Sequence, residues 1–371
     1  MEYFFIYSAG GGAGDWNGLK RVWANRMSPM LKHRILLKFG DVYYNHASIN
    51  NLIKPKLWNN ITNMRTWISE SVNDNSVNTD SIILLDSGTS KIINYISTQH
   101  EEYNVEQVVQ KFKDLISENN IMQKYVDIII ASNIQEAVTF DAPNPFKIRT
   151  QSQNTRTIIF SEHDNHLLIQ TSAELSNHMF HLLEDNQERI LTTINGLWSN
   201  EEIDLFLSLL DYEPNKLAIG GLTRAYAEMT SIMNRLNEKL IFSNYERIHF
   251  LGCGGLKIAS RIKESIGNNE VYSVDNSTSW NRAIDGNTAG TSQSGYFDYT
   301  TKKMTRIKPT TRAEIIRLHQ NAINPFFSVE EMTKIIDSIL QHQAHNSSEE
   351  TYESRALLAI HNHNVFRINA K

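Results

Sequence analysis

Residues 248–275 read IHFLGCGGLKIASRIKESIGNNEVYSVD, and this stretch decides the fold class. A short apolar run at 248–251 is followed by glycines, and then by residues 254–266, whose apolar positions recur at helical spacing. A second apolar run at 271–274 comes next and ends on Asp275. Strand, helix and strand in this order predict a βαβ unit, in which the two strands lie parallel in one sheet.

The same alternation of strand and helix patterns extends along the rest of the chain. Apolar runs of strand length recur, and segments with helical spacing lie between many of them. This arrangement predicts an α/β fold built on a parallel sheet. We expect strands at residues 3–8, 35–39, 82–85, 126–130, 157–160, 167–169, 217–219, 248–251 and 271–274, and helices at 105–116, 225–240, 254–266, 330–341 and 352–360.

Four polar or glycine-bearing segments occur in a fixed order, each after an apolar run that we interpret as a strand. They are residues 84–88 (LLDSG), 140–143 (FDAP), 219–222 (IGGL) and 273–277 (SVDNS). In a barrel of parallel strands, the carboxyl ends of the strands meet at one mouth, where the catalytic residues of such barrels lie. The order of the segments therefore predicts a functional site at that mouth.

Composition limits the class of protein. The 371 residues suit a single α/β barrel with insertions. No apolar stretch is long enough to span a membrane, and the first residues lack the basic start of a signal peptide, so we expect a cytoplasmic protein. A single cysteine, Cys253, excludes an internal disulfide and any multi-cysteine metal site.

The distribution of charge leaves room for a local basic surface. The formal net charge is −5, which argues against a nonspecific nucleic-acid coat. A polar stretch at residues 281–311 nevertheless carries a basic run, which is a candidate for binding nucleic acid. Its candidate residues are Lys302, Lys303, Arg306 and Lys308. A solvated surface is the structural alternative for such a run.

Three carboxylates in the four segments are candidates for chemistry. Asp275 could attack an electrophilic sugar carbon and form a covalent intermediate. Asp86 could move a proton while the first carboxylate acts as nucleophile. Asp141 could accept hydrogen bonds from the N–H edge of a purine. Each has a structural alternative, because Asp also caps helices and starts turns.

The glycines of these segments suit close approach to a ligand. Ser87 and Gly88 form a tight polar turn whose amides could hold a ligand, and Gly220 and Gly221 let a flat ligand approach the backbone. The loop at residues 252–255 also fits a second interpretation, an S-adenosylmethionine or dinucleotide site in which Asp275 binds a ribose. That interpretation leaves the first three segments unexplained, and only about a hundred residues follow for the remaining strands of such a fold.

Taken together, the four segments resemble the tRNA-guanine transglycosylase superfamily over roughly residues 80–365. The resemblance implies that Asp275 is the nucleophile and that Asp86 handles a proton. Residues at strand ends would bind the base. These implied base-binding residues are Ser87, Gly88, Asp141, Gln170, Gly220, Gly221, Leu222, Leu251 and Gly252. The implied reaction is that of a pentosyltransferase, and it requires no cofactor or metal.

Three departures from the family point to its divergent DNA-acting branch. Residues 89–91 stand where bacterial members carry an aromatic residue that stacks on the base. His361 lies in the Ile-His-Asn context of the family's zinc site, but no cysteine precedes it in the tail. No RNA-binding domain is expected beyond the barrel and its tail. Branch members come from phages and bacterial DNA-modification islands, so a phage-encoded chain would act in the host cytoplasm.

The sequence therefore predicts an irregular (β/α)8 TIM-type barrel with insertions. The barrel is expected at residues 1–311, with the polar basic insertion at about 281–311. A helical C-terminal subdomain without the family zinc site is expected at 312–371 and packs on the barrel. The expected partners are DNA and a free 7-deazaguanine base, with a homodimer as the assembly implied by the resemblance.

Three other functions stay open at this point. A tRNA-acting transglycosylase would use the same base pocket on another polymer. An S-adenosylmethionine-dependent methyltransferase would use Gly252 and Asp275 differently. A noncatalytic nucleic-acid-binding barrel would need neither Asp86 nor Asp275 beside phosphates.

Overall fold

Eight parallel strands form a closed barrel. The computed structural model describes residues 1–7, 34–40, 63–72, 81–90, 92–93, 96, 104–142, 147–149, 155–157, 161–267, 269, 271–275, 294–323, 325–341 and 349–370. The barrel strands are β1 (Glu2–Tyr7), β2 (Arg34–Lys38), β3 (Ile82–Asp86), β4 (Glu136–Val138), β7 (Ile190–Asn195), β8 (Lys216–Gly220), β9 (Arg247–Phe250) and β10 (Tyr272–Asp275). Around the barrel they follow the order β1, β10, β9, β8, β7, β4, β3 and β2. The predicted TIM-type barrel is confirmed.

Helices and two small hairpins complete the described chain. The hairpins pair β5 (Lys147–Arg149) with β6 (Thr155–Thr157), and β11 (Gly295–Phe297) with β12 (Met304–Arg306). The helices are α1 (Met64–Val72), α2 (Val105–Glu118), α3 (Ile121–Ala131), α4 (Glu162–Leu182), α5 (Asn200–Ser208), α6 (Met229–Leu240), α7 (Leu256–Ile266), α8 (Arg312–Gln320), α9 (Val329–Gln341) and α10 (Glu349–Ala370).

Alternate residues of the barrel strands point into its interior. They form a small apolar cluster of Phe4, Ile6, Leu36, Leu84, Val138, Leu191 and Ala218. The intervening residues face outward and join two larger apolar clusters shared with the helices. This alternation follows from the two-residue period of a strand, which sends successive side chains to opposite faces.

A network of ion pairs spans the amino-terminal end of the barrel. Arg247 of β9 contacts Glu2 of β1 at 2.7 Å and Glu136 of β4 at 2.9 Å. Arg34 of β2 contacts the same Glu2 at 2.7 Å. These ion pairs join four strands at the end of the barrel that lies away from the predicted site. Residues at this end of such barrels serve stability, whereas the catalytic residues lie at the other end.

The carboxyl ends of β3 and β4 are joined by a buried tyrosine. Tyr125 of α3 places its hydroxyl 2.7 Å from the carbonyl oxygen of Leu85 and 3.0 Å from that of Val138. Its ring packs edge-on against Phe39 and Phe140, with centroids 5.0 and 5.1 Å away. Because those carbonyls lie at strand ends, Tyr125 fixes the backbone that carries Asp86 and the segment around Asp141.

The last helix packs on the barrel and on the β11–β12 hairpin. The Asn362 side chain accepts a hydrogen bond from the amide of Phe297 and donates one to the carbonyl of Gly295. His361 donates from Nε2 to the carbonyl oxygen of Phe297 at 2.8 Å, and its ring stacks on Tyr296. His363 packs edge-on against Tyr3 of β1. Hydrogen bonds and aromatic packing thus hold α10 in place.

These contacts differ from those of the zinc site in the transglycosylase superfamily that the sequence resembles. The Nε2 atom of His361 is engaged by a backbone carbonyl, and the chain's one cysteine, Cys253, is buried beside the barrel. Within the described residues, no group of three or more His, Cys, Asp or Glu side chains is placed to hold a metal ion.

Two predicted strands are helices instead. Residues 126–130 lie in α3, where the buried positions Ile121, Met122, Tyr125, Val126, Ile128 and Ile129 recur at helical spacing. Residues 167–169 lie in α4, whose buried face is completed by the small side chains of Ser172, Ala173 and Ser176. In α4 the small and polar residues of the buried face hid the helical spacing. In α3 the short apolar run at 126–130 suggested a strand, because such a run fits a buried strand and a buried helix equally well.

Other differences concern short strands and the insertion. β4 and β7 were not predicted. The apolar run in β7 is interrupted by Thr192 and Thr193, which favour strands without being apolar. Within the predicted polar insertion, residues 294–311 form the β11–β12 hairpin and a 3₁₀ turn. Residues 158–160 and 281–293 lie outside the described residues. The domain boundary at residue 311 stays a prediction.

Within the described residues, no helix combines the length and the hydrophobicity that crossing a bilayer requires.

The ion-pair network gives a test of the barrel closure. Arg247→Met keeps the aliphatic stem but leaves Glu2 and Glu136 without their shared cation, so we expect a loss of about 3 kcal/mol in the free energy of unfolding. Urea denaturation measures it. Lys334→Met is the matched control, because Lys334 and Glu330 form an exposed pair on α9, and its midpoint should stay almost unchanged. Equal effects of the two substitutions would contradict a structural role for the network.

The buried histidines of α10 make stability depend on pH. Burial lowers the pKa of His361 and of His363 to about 3. The unfolded chain binds these protons below about pH 6.5, so stability is full above that pH and falls towards pH 3, by about 2 kcal/mol per histidine at pH 5. Urea midpoints at about pH 7.5 and pH 5 measure the loss. His361→Phe should reduce the difference between them, whereas His181→Phe, at an exposed position, should not.

Candidate active site at the barrel mouth

Asp275 ends β10 and is buried at the mouth of the barrel, with 4% of its surface exposed. Its Oδ1 atom accepts a hydrogen bond from the amide of Gly252 at 2.7 Å. Nε2 of His249 lies 3.0 Å from the same oxygen. The predicted strand-end position is therefore confirmed, and the carboxylate binds across to the neighbouring strand β9.

The backbone of the glycine loop after β9 packs against Asp275. Gly252 has a φ of +71°, which aims its amide at the carboxylate. Gly254 donates its amide to the Asp275 carbonyl at 2.8 Å. A Cβ atom on Gly254 would lie 2.7 Å from the Tyr3 ring and 3.0 Å from the Asp275 backbone. Only glycine fits at position 254, where the loop packs against the backbone that carries the carboxylate.

The surroundings of Asp275 favour its charged form. Burial opposes ionisation, but the hydrogen bond and charge of His249, the charge of Lys38 and the Gly252 amide together hold the pKa of Asp275 below its usual value. Burial and the charge of Asp275 raise the pKa of the neighbouring Cys253 thiol. At neutral pH the mouth therefore holds an ionised carboxylate beside a protonated thiol, and the carboxylate is the better nucleophile of the two.

Two further carboxylates, Asp86 and Asp141, lie at the ends of β3 and β4. Asp86 accepts a hydrogen bond from the amide of Gly88 at 3.1 Å, which closes a tight turn. Asp141 accepts one from the Thr89 hydroxyl at 2.5 Å. Burial and the charge of Asp86 raise the pKa of Asp141 to about 6, against the opposing effect of Thr89. A group with such a pKa can exchange a proton near neutral pH.

Lys38 lies between the two sets of carboxylates. It ends β2 and stands opposite Asp86 in the register of β2 and β3. Its charge also contributes to the lowered pKa of Asp275. β1 separates β2 from β10 in the barrel, so Lys38 brings one positive charge to the mouth between the negative groups.

The predicted glycine segment after β8 lies at the same end of the barrel. Gly220 is the last residue of β8, and its carbonyl accepts a hydrogen bond from the Gly196 amide at 2.9 Å. Leu222 is wholly buried, so its side chain belongs to the core and only its backbone remains for a ligand. Leu251 packs against the apolar cluster inside the barrel. Ser87 is buried beside Asp86.

The predicted basic run lies on the β11–β12 hairpin. Lys302, Lys303, Arg306 and Lys308 are all exposed. Lys302 lines a cavity of about 480 Å³ together with Gly255, the last residue of the glycine loop, and Leu256, which begins α7. The hairpin therefore places at least one of the basic side chains beside the loop that holds Asp275.

Gln170 requires a correction. It was expected at a strand end, where it would contact the base, but it lies on α4 and its side chain is exposed. The strand that would have placed it at the mouth does not exist, and we assign it no part in the site.

Three residues of the site were not foreseen. His249, Thr89 and Lys38 each contact or influence a carboxylate that the sequence did single out. His249 carried a signal, since it lies on the strand directly before the glycine loop. Its partner is 26 residues away, and only the register of β9 with β10 brings the two together.

Comparisons with known proteins add little about function. No family model and no curated protein matches this chain. One similar solved structure is a protein from Anabaena variabilis that is provisionally described as a sugar phosphate isomerase or epimerase. It is 10% identical, the similarity covers 74% of this chain and 83% of that chain, and the TM-score is 0.41. The resemblance to the transglycosylase superfamily stays a prediction.

The contact between Thr89 and Asp141 can be tested without a substrate. Thr89→Val removes the hydroxyl that stabilises ionised Asp141, so we expect the pKa of Asp141 to rise above 6. Infrared titration of the carboxyl band measures it, with Asp141→Asn to assign the signal. Thr89→Ser keeps the hydroxyl and should titrate as the native protein does. An unchanged titration in Thr89→Val would show that the hydroxyl does not act on this carboxylate.

Proposed function

We propose that this protein is a base-exchange transglycosylase that replaces guanine in DNA with a 7-deazaguanine. The observation that carries the proposal is Asp275, a buried carboxylate fixed at the mouth of a closed barrel by a backbone amide and a histidine, in surroundings that lower its pKa. A carboxylate held in this way is suited to attack a sugar carbon and to form a glycosyl ester.

In the first half-reaction, the target nucleotide leaves the helical stack, because its glycosidic carbon is out of reach inside a duplex. Asp275 attacks C1′ of the sugar and a C–O bond forms. The C1′–N9 bond breaks, and its electron pair leaves with guanine, which takes up a proton from Asp86, so that Asp86 is ionised for the second half-reaction. The product is a nucleosyl ester on Asp275.

In the second half-reaction, a free 7-deazaguanine enters the vacated base pocket. Asp86 takes the proton from its ring nitrogen, and that nitrogen attacks C1′. The ester bond breaks, and Asp275 regains its negative charge. Each displacement inverts the sugar carbon, so the product retains the original configuration. The scheme requires two carboxylates with different roles, and the separate surroundings of Asp275 and Asp86 support that division.

Base recognition is assigned to the remaining segments of the mouth. Asp141 accepts hydrogen bonds from the N–H edge of the base when it is ionised, and its pKa of about 6 allows this at neutral pH. The backbone at residues 220–222 and at Gly252 follows the ends of β8 and β9, where it would contact the base.

DNA as the polymer rests on the resemblance to the DNA-acting branch. The exposed basic residues of the β11–β12 hairpin supply charges for phosphate contacts beside the glycine loop. A tRNA substrate would use the same base pocket, so the polymer has to be decided by experiment. The methyltransferase alternative needs an open, doubly wound sheet, whereas the barrel here is closed.

Removal of the nucleophile tests the proposal. Asp275→Asn should lower exchange of labelled guanine into DNA by about 10⁴-fold or more, because the amide is a poor nucleophile. The assay follows incorporation of labelled base in the presence of purified protein. Asp86→Ala serves as the comparison, since it should slow turnover while DNA binding is kept.

The same assay on a substrate panel decides the polymer. The panel contains duplex DNA, single-stranded DNA and tRNA, each with several 7-deazaguanines as the incoming base. Exchange on tRNA alone would replace DNA by tRNA in the proposal.

Full exchange by Asp275→Asn would disprove the assignment of the nucleophile.

A further inference from the structure

His249 is a buried titratable side chain to which the reaction above gives no step. It lies on β9 with none of its surface exposed, edge-on to Phe4 in the barrel interior at 5.4 Å between ring centroids. Nδ1 lies 3.0 Å from the Ser273 hydroxyl, and Nε2 lies 3.0 Å from Oδ1 of Asp275. One ring therefore bridges two side chains of the neighbouring strand β10.

The chemistry of the partners fixes the direction of the bond to Asp275. An ionised carboxylate only accepts hydrogen bonds, so Nε2 of His249 carries the proton and donates it to Oδ1. The Ser273 hydroxyl suits either state of the ring, because it donates to Nδ1 of a neutral ring and accepts from a charged one. Ser273 thus orients the ring while Nε2 stays on the carboxylate.

The two oxygens of Asp275 are placed in different surroundings. Oδ1 receives both the Gly252 amide at 2.7 Å and His249 at 3.0 Å. Among the residues that the structure describes, none donates a hydrogen bond to Oδ2. Hydrogen bonds withdraw electron density from the oxygen that accepts them, so Oδ2 keeps the more available lone pairs.

We infer that His249 is a positioning residue that, with the Gly252 amide, holds Oδ1 and thereby selects Oδ2 of Asp275 as the attacking atom. This inference rests on the proposed function. The bond from Oδ2 to C1′ forms as the bond from C1′ to the base breaks, and the electron pair passes to the base. His249 transfers no proton in this step, and its bond to Oδ1 persists through the ester and back.

The electrostatics of the mouth give this role a measurable signature. Among the described residues, the charged groups that act on Asp275 are His249 from β9 and Lys38 from β2. The Cys253 thiol that follows β9 is in turn affected by the charge of Asp275, which raises its pKa. His249 is the strongest of the groups that oppose the cost of burial. Its removal should raise the pKa of Asp275, even though Lys38 and Gly252 remain.

The experiment compares three variants in the base-exchange assay across pH. His249→Phe fills a similar volume and removes both hydrogen bonds, His249→Gln keeps a side-chain N–H donor, and Ser273→Ala removes only the orienting hydroxyl. For His249→Phe we expect kcat to fall about 100-fold with KM changed by less than about 3-fold, and the acidic limb of the pH profile to move to higher pH. His249→Gln should recover part of both effects, and Ser273→Ala should show smaller changes in the same direction.

Several results would overturn the inference. A folded His249→Phe variant with native kcat and an unchanged acidic limb would exclude the positioning role, and so would a change confined to KM. If His249→Phe does not fold, native kcat and an unchanged acidic limb in Ser273→Ala, together with a change confined to KM in His249→Gln, would exclude it as well. A wild-type protein without base exchange on any substrate overturns the proposed function itself, whereas native exchange in the variants overturns this inference alone.

Discussion

The burial of one ionised carboxylate sets the constraint that the mouth of this barrel has to satisfy. Moving a carboxylate out of water costs several kcal/mol unless hydrogen bonds and opposite charges replace the lost hydration. Asp275 recovers that cost from the Gly252 amide, His249 and Lys38. These groups come from β9, its following loop and β2, so the charge is tolerated only when the barrel is closed and in register.

The two ends of the barrel use charge in different ways. At the amino-terminal end, Arg247 and Arg34 neutralise Glu2 and Glu136, and every partner is part of a mutual network. At the carboxyl end, the pKa of Asp275 falls and that of Asp141 rises. Different surroundings thus give carboxylates of one site different properties, and those of Asp275 suit a nucleophile that stays ionised.

The sequence located the strand ends of the site where local chemistry was unambiguous. The short apolar runs that end on Gly220 and Asp275 were interpreted as strand ends in a parallel sheet, and the structure agrees. The prediction from sequence failed for Gln170, because the buried face of α4 includes small polar residues that a search for apolar residues overlooks. His249 and Thr89 were out of reach for another reason. Each acts on a residue more than 20 positions away, and only strand register shows which side chains meet.

The most direct test of the central claim is to find the covalent intermediate and locate it. Wild-type protein is incubated with guanine-containing DNA in the absence of an incoming base, quenched, digested with nuclease and protease, and analysed by peptide mass spectrometry. We expect a nucleosyl adduct on the peptide that contains Asp275, and its loss when 7-deazaguanine is added before quenching. An adduct on another residue, or efficient base exchange with no adduct on Asp275, would contradict it.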